Sequence, residues 1–196
     1  MDADQAIDGK IILLFEGQES WHGWLRENHH VSPGVWLRIA KKGADVRTVS
    51  YGEALEAALC FGWIDSQKKG ESDTHFLQKF TPRSATSIWS KINREKAQAL
   101  IDSGRMKPSG LREVERAQSD GRWDAAYDSS SRAAVPEDLQ RALDNNKKAS
   151  AFFSGLDRQN RYAILFRIQT AKKAETRAKR IKQYVAMLEN HEKIHP

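Results

Sequence analysis

The sequence predicts an α+β protein: a small antiparallel or mixed sheet with packed helices, followed by a C-terminal helical module. Three observations point there. Apolar residues alternate through GVWLRIAKK (34–42), the period of a strand. All six Trp, at 21, 24, 36, 63, 89 and 123, fall in the first 124 residues, which places the main core there. After Pro136 every segment has helical character and none has a strand pattern.

Along the chain, KIILLF (10–15) reads as a short buried strand. In ESWHGWLRENHH (19–30), Trp21, Trp24 and Leu25 share one face of a helix, which the SPG at 32–34 stops. In 34–42, Val35, Leu37 and Ile39 face one side, and Trp36 and Arg38 the other. Ser50 and Glu53 form an S-x-x-E capping box. The helix it opens turns Leu55, Ala58 and Leu59 inward and ends at Gly62. WIDSQKKG (63–70) and THFLQKFTPR (74–83) are bounded by turn residues and suit an antiparallel hairpin.

A helix is expected over 85–104, with Ile88, Trp89, Ile92, Ala99 and Leu100 on one stripe and Gly104 as its C-cap. A second runs from near Ser109 to Gly121. The small, polar stretch 125–135 reads as a linker, dividing an α+β domain (1–124) from a basic helical module (136–196). In the last helical segment Ala174, Ala178, Ile181, Val185 and Leu188 make one apolar stripe.

GVWLRIAKK, YGEALEAALCFGWIDS, FTPRSATSIWSKIN and AQSDGRW resemble the YdeI/OmpD-associated, bacteriocin-protection family of bacterial proteins. The run from PEDLQRALDNNKKASAFF to AKKAETRAKRIKQYVAML is similar to that family's helical module, which also occurs behind other N-terminal domains. The resemblance covers roughly residues 20–190. It implies a link to resistance against bacteriocins or to envelope stress, and it implies no settled reaction, cofactor or ligand.

Composition narrows the classes. One cysteine excludes an internal disulfide and a multi-cysteine metal site. The acidic start and short apolar run fit no signal peptide, and no stretch approaches the length of a spanning helix. A soluble cytoplasmic protein is expected. Residues 1–124 carry 18 Lys/Arg and 18 Asp/Glu, whereas 125–196 carry 14 and 8, so the whole net charge of +6 belongs to the C-terminal third. Arg167, Lys172, Lys173, Arg177, Lys179, Arg180 and Lys182 are the candidate basic surface for phosphates or nucleic acid. Lys179, Arg180 and Lys182 are spread around the polar arc rather than gathered into one stripe, which also suits a solvated helix face. Arg177 borders the apolar stripe, where a carboxylate of the neighbouring domain is its expected partner.

In CFGWIDS (60–66), Cys60 and Trp63 read as core. Asp65, directly after Trp-Ile, must be exposed or paired. Arg83 across the hairpin is its expected partner, either as architecture or as the rim of an anion site. That candidate pocket gathers Trp63, Asp65, Arg83, Ser87, Ser90 and Asn93 around the free amides of a helix beginning near 86. Glu53 is explained by its cap. His29 and His30 sit at a helix end, where imidazole suits the dipole. HEKIH (191–195) matches H-E-x-x-H, but so near the chain end it lacks a third ligand and a walled cleft. SQKK (66–69) matches S-x-x-K without the helix or companion motifs that chemistry requires.

No catalytic constellation, metal or cofactor is implied. Three function classes stay open. The first is a cytoplasmic binding or stress-protection protein without catalysis, its partner an unknown protein or small ligand. The second is nucleic-acid association through the basic helices. The third is a ligand binder or enzyme with a pocket near Asp65 and Arg83. The first asks least of the residues.

Overall fold

The computed structural model describes residues 6–196, so the first five, with the acidic start, lie outside it. The architecture is α+β, as expected. The chain divides into two compact units. One reaches Ile88 and resumes over Asn93–Asp124; the other consists of Trp89–Ile92 and Ala125–Pro196.

In the first unit, β1 (Ala6–Ile7), β2 (Lys10–Leu13), β3 (Val35–Ala40), β4 (Trp63–Gly70) and β5 (His75–Pro82) form one mixed sheet in the order β1-β2-β3-β5-β4. Only β2 and β3 are parallel, joined through α1 (Gln18–Asn28). Val35, Trp36, Leu37 and Ile39 are all buried, so central β3 is covered on both faces. Trp21 and Leu25 of α1 are wholly buried, and Trp21 stacks on Trp24 with ring centroids 5.4 Å apart. The capping box opens α2 (Tyr51–Cys60) as expected: the Ser50 amide donates to Glu53 Oε2 at 2.9 Å, and the Glu53 amide donates to Ser50 Oγ at 3.3 Å. The Ser50 amide bond to its carboxylate holds the Glu53 carboxyl below its usual range. β4 and β5 form the expected antiparallel hairpin, with a bulge between Asp65 and Lys68.

The helix expected from residue 85 is shorter. α3 is Lys91–Asp102. Ahead of it the Ser84 amide donates to Ser87 Oγ at 2.9 Å, a local turn that competes with helical bonding. Ser90 bridges to Tyr127, and the Lys91 amide donates to the Tyr127 carbonyl at 2.9 Å. Ile88, assigned to the inward stripe, is 40% exposed. α4 (Pro108–Ser119) starts with proline in its first turn, where the missing N–H costs nothing.

In the second unit α5 (Glu137–Asp144), α6 (Lys147–Ser154), α7 (Arg158–Gln169) and α8 (Ala174–Glu189) pack around Leu139, Leu143, Phe153, Ile164, Ile168 and Leu188. Asn146 and Asp157 cap α6 and α7 with their side chains. The α8 stripe differs from expectation. Ile181, Tyr184 and Leu188 are buried, while Ala174 and Ala178 are exposed. The small alanines lose little by facing water, and Tyr184 takes the inward position with its larger apolar area.

The HEKIH segment lies past α8 rather than on a helix face, because His191 takes φ +58°. It is held down: Asn160, 2% exposed, accepts from the His195 amide at 2.8 Å and donates to the His195 carbonyl at 3.2 Å. Two imidazoles one helical turn apart are therefore not presented. No helix among the described residues is long and apolar enough to cross a membrane.

Candidate functional site

Of the residues singled out around CFGWIDS, Asp65 and Arg83 are not brought together. Pairing sets Asp65 opposite Phe80, and the Arg83 amide bonds the Gly62 carbonyl at 3.0 Å. Residues 62 and 65 have opposite parity, so Asp65 and Arg83 project from opposite faces of the hairpin. Asp65 instead accepts from Tyr51 Oη at 2.8 Å. Arg83 is buried and donates to the Ile88 carbonyl at 3.3 Å. Ser87 Oγ is taken up by the turn with Ser84, and its carbonyl accepts from Arg122 at 2.6 Å. Trp63 is core, its indole N–H donating to the His29 carbonyl at 3.1 Å. Ser90 belongs to the second unit, and half-buried Asn93 lies within α3. The helix amides expected near 86 are absent because α3 begins at 91.

A different site lies at the other end of α2. Gly62 adopts φ +76°, which ends the helix and turns the chain into β4. The Lys107 amide donates to the Cys60 carbonyl at 3.0 Å, which brings the 105–112 segment across the C-terminus of α2. Between α1, α2 and that segment is a cavity of about 330 Å³. Its walls include His22, Gly23 and Arg26 from α1, Ala57 and Cys60 from α2, and Arg105 and Lys107. A second depression, of about 420 Å³, shares His22, Arg26 and Lys107 and adds His29, Phe61, Ser109 and Arg112.

Basic side chains outnumber carboxylates in the lining of these depressions. Arg105 is ion-paired with Glu56 at 2.5 Å, and Arg26 has only a loose, exposed contact with Glu27 at 3.7 Å. Lys107 is half-buried, and neither its ammonium nor the Arg112 guanidinium forms an ion pair or side-chain hydrogen bond among the described residues. Burial pushes the His22 imidazole below its ordinary value, and the charges of Lys107, Arg26 and Arg105 push it further. Burial pushes the Cys60 thiol up, against the pull of Arg105 and Lys107. At neutral pH the site therefore presents a neutral imidazole, a neutral thiol and several cations.

The His22 shift carries a sign. Its folded form binds a proton less readily than its unfolded form, so stability is full above the unfolded value of about 6.5 and falls as pH drops through it. Expected: denaturation midpoints measured between pH 8 and pH 5 fall less for His22→Gln than for the wild type.

Sequence reasoning missed this site because its residues come from three separate segments. Cys60 and Phe61 were visible in CFGWIDS, but Arg105, Lys107 and Arg112 carry no motif.

Residues 13–113, just over half of the 196, match a family model described as Domain of unknown function (DUF8412). The chain belongs to that family. Its residues 132–191 match a second model, described as Bacteriocin-protection, YdeI or OmpD-Associated. The resemblance read over 20–190 is thus shown for the helical part, whereas GVWLRIAKK, YGEALEAALCFGWIDS and FTPRSATSIWSKIN fall within the first model. The cavity residues from His22 to Arg112 likewise lie in the DUF8412 match. No curated protein and no solved structure matches the chain.

The basic residues of the helical unit are partly engaged. Arg177 grips Asp138 of α5 with two bonds of 2.6 and 2.8 Å and donates to the Ile168 carbonyl at 3.0 Å. Its carboxylate partner thus comes from its own unit, contrary to expectation, because α5 packs alongside α8. Arg180 donates to the Arg167 carbonyl. Lys172, Lys173, Lys179 and Lys182 are exposed.

Proposed function

We propose that the chain is a non-catalytic binding protein of the cytoplasm. Its N-terminal unit takes a small organic anion in the cavity between α1, α2 and the 105–112 segment. Its helical unit serves the protective role that the name of its matched family describes. The observation that carries this reading is Lys107, half-buried in the cavity wall without a carboxylate partner and flanked by Arg26 and Arg105. Like charges gathered around one cavity repel one another, and a bound anion relieves that repulsion. The cavity lies within the roughly 300–1,000 Å³ range of small-molecule sites. The protonated thiol of Cys60 and the uncharged His22 suit a binding wall better than a nucleophile and its base. A single cysteine kept as a buried thiol suits a reducing compartment. Nucleic-acid binding by the helical unit is the weaker reading, since Arg177 and Arg180 are held by internal bonds.

The test is a thermal-shift titration with carboxylates and phosphate esters on wild type and Lys107→Ala. A ligand at a hundredfold excess over its dissociation constant adds about 2.7 kcal/mol of stability. Expected: at least one anion class raises the melting temperature, and Lys107→Ala loses most of that shift while its ligand-free melting temperature stays unchanged. The unchanged baseline follows from the Lys107 backbone bond to Cys60, which the substitution leaves intact. Equal shifts in both proteins, or none in either, would remove the reading.

A further inference from the structure

The two depressions at this site are unlike each other, and the difference selects a ligand. Resting on the anion-binding reading, we infer that the occupant is an amphiphilic anion, a monoacid carrying an apolar chain or ring. Its acidic head lies by Lys107, Arg112 and His29, and its body lies along Gly23, Ala57 and Cys60.

Both depressions are lined by His22, Arg26 and Lys107, so they adjoin as two compartments of the inferred site. The compartment beside α2 has a glycine, an alanine and an un-ionised thiol in its lining, with Gln18 and Glu19 beside them. Glu19 stands at its rim, and the one guanidinium it does not share, that of Arg105, already holds Glu56 at 2.5 Å. An acidic head there would meet a like charge and an occupied arginine. The other compartment is lined by Arg112, Lys107, His29 and Ser109, with no carboxylate. Like-charge repulsion at one end and open cations at the other orient the ligand.

Apolar material is needed to fill the rest. The Phe61 ring meets the His22 ring at 4.9 Å and the His29 ring at 5.1 Å, an aromatic wall at the junction. A small polyanion would leave the first compartment wet. Gly23 keeps that compartment open. A side chain built there meets nothing within 4 Å, although glycine is a poor residue for the middle of an eleven-residue helix.

The same position supplies the experiment. Gly23→Leu extends a side chain from a wall position where a Cβ meets nothing within 4 Å, and it improves helix propensity, so the variant is expected to fold. Calorimetric titrations of the full chain compare octanoate, inorganic phosphate and octylammonium. Octanoate is expected to bind the wild type about tenfold or more tighter than the other two, since each buried methylene adds affinity and the cations reject an ammonium. Gly23→Leu is expected to weaken octanoate by about tenfold or more while leaving phosphate unaffected. Arg112→Ala should weaken both anions. If phosphate binds as tightly as octanoate, or Gly23→Leu leaves octanoate unchanged, the amphiphile is overturned and a plain anion site stands. If no anion binds, or octylammonium matches octanoate, the anion-binding reading fails with it.

Discussion

Gly110→Ala is expected to destabilise the N-terminal unit by about 3 kcal/mol or more, at the top of the range for overpacking. A methyl group at 110 would lie 2.3 Å from the Cys60 carbonyl oxygen, 2.4 Å from Met106 Sδ and 2.8 Å from the Leu59 carbonyl oxygen. Met106 can swing aside, but two backbone oxygens at the end of a buried helix cannot. A close-packed interior transmits the strain instead of absorbing it. α4 must therefore retreat from α2, which stretches the Lys107–Cys60 bond and displaces Lys107 and Arg112 together. Ligand binding should fall with stability. Chemical denaturation followed by tryptophan fluorescence reads this unit well, since every tryptophan except Trp89 belongs to it. Gly23→Ala is the control: with open space around it and helical backbone, it should be neutral or stabilising by up to about 1 kcal/mol. A Gly110→Ala loss below about 1 kcal/mol, the ordinary cost of a surface change, would mean that α4 does not approach α2 so closely.

That contrast shows what a one-dimensional reading can reach. Elements with a local cause were legible: the Ser50–Glu53 box begins α2, the period-two run makes β3, and turn residues bound the 63–82 hairpin. The start of α3 was not, because Ser84 and Ser87 satisfy backbone groups locally while Tyr127, far along the chain, holds the Lys91 amide. Hairpin register decided Asp65, since one residue of offset sends a side chain to the opposite face. The cavity was illegible for a related reason. Arg105, Lys107 and Arg112 become neighbours of His22 only once two glycines, Gly62 and Gly110, let α4 approach the end of α2. A glycine that reads as a helix stop in sequence is also a spacer in three dimensions, and only the second role makes the site.

The residue that ties the core to the candidate site is Trp63, and Trp63→Ala should cost about 3–5 kcal/mol. The side chain is 1% exposed, meets the Trp24 ring at 6.0 Å and the Trp21 ring at 6.3 Å, and sits on the strand leaving CFGWIDS. Its indole N–H holds the carbonyl of His29, the C-cap of α1. Two contributions can be separated. Trp63→Phe keeps most of the ring packing and removes the donor, so about 1–2 kcal/mol is expected for the hydrogen bond, and the remainder of the alanine loss is cavity. The phenylalanine variant also probes function. With the core largely filled but the α1 end released, His29 should lose its fixed place beside Phe61 and Arg112, and anion affinity should drop by more than the small stability loss requires. Unchanged affinity in a folded Trp63→Phe protein would show that His29 does not orient the ligand, and would leave Lys107 and Arg112 as the groups that hold its charge.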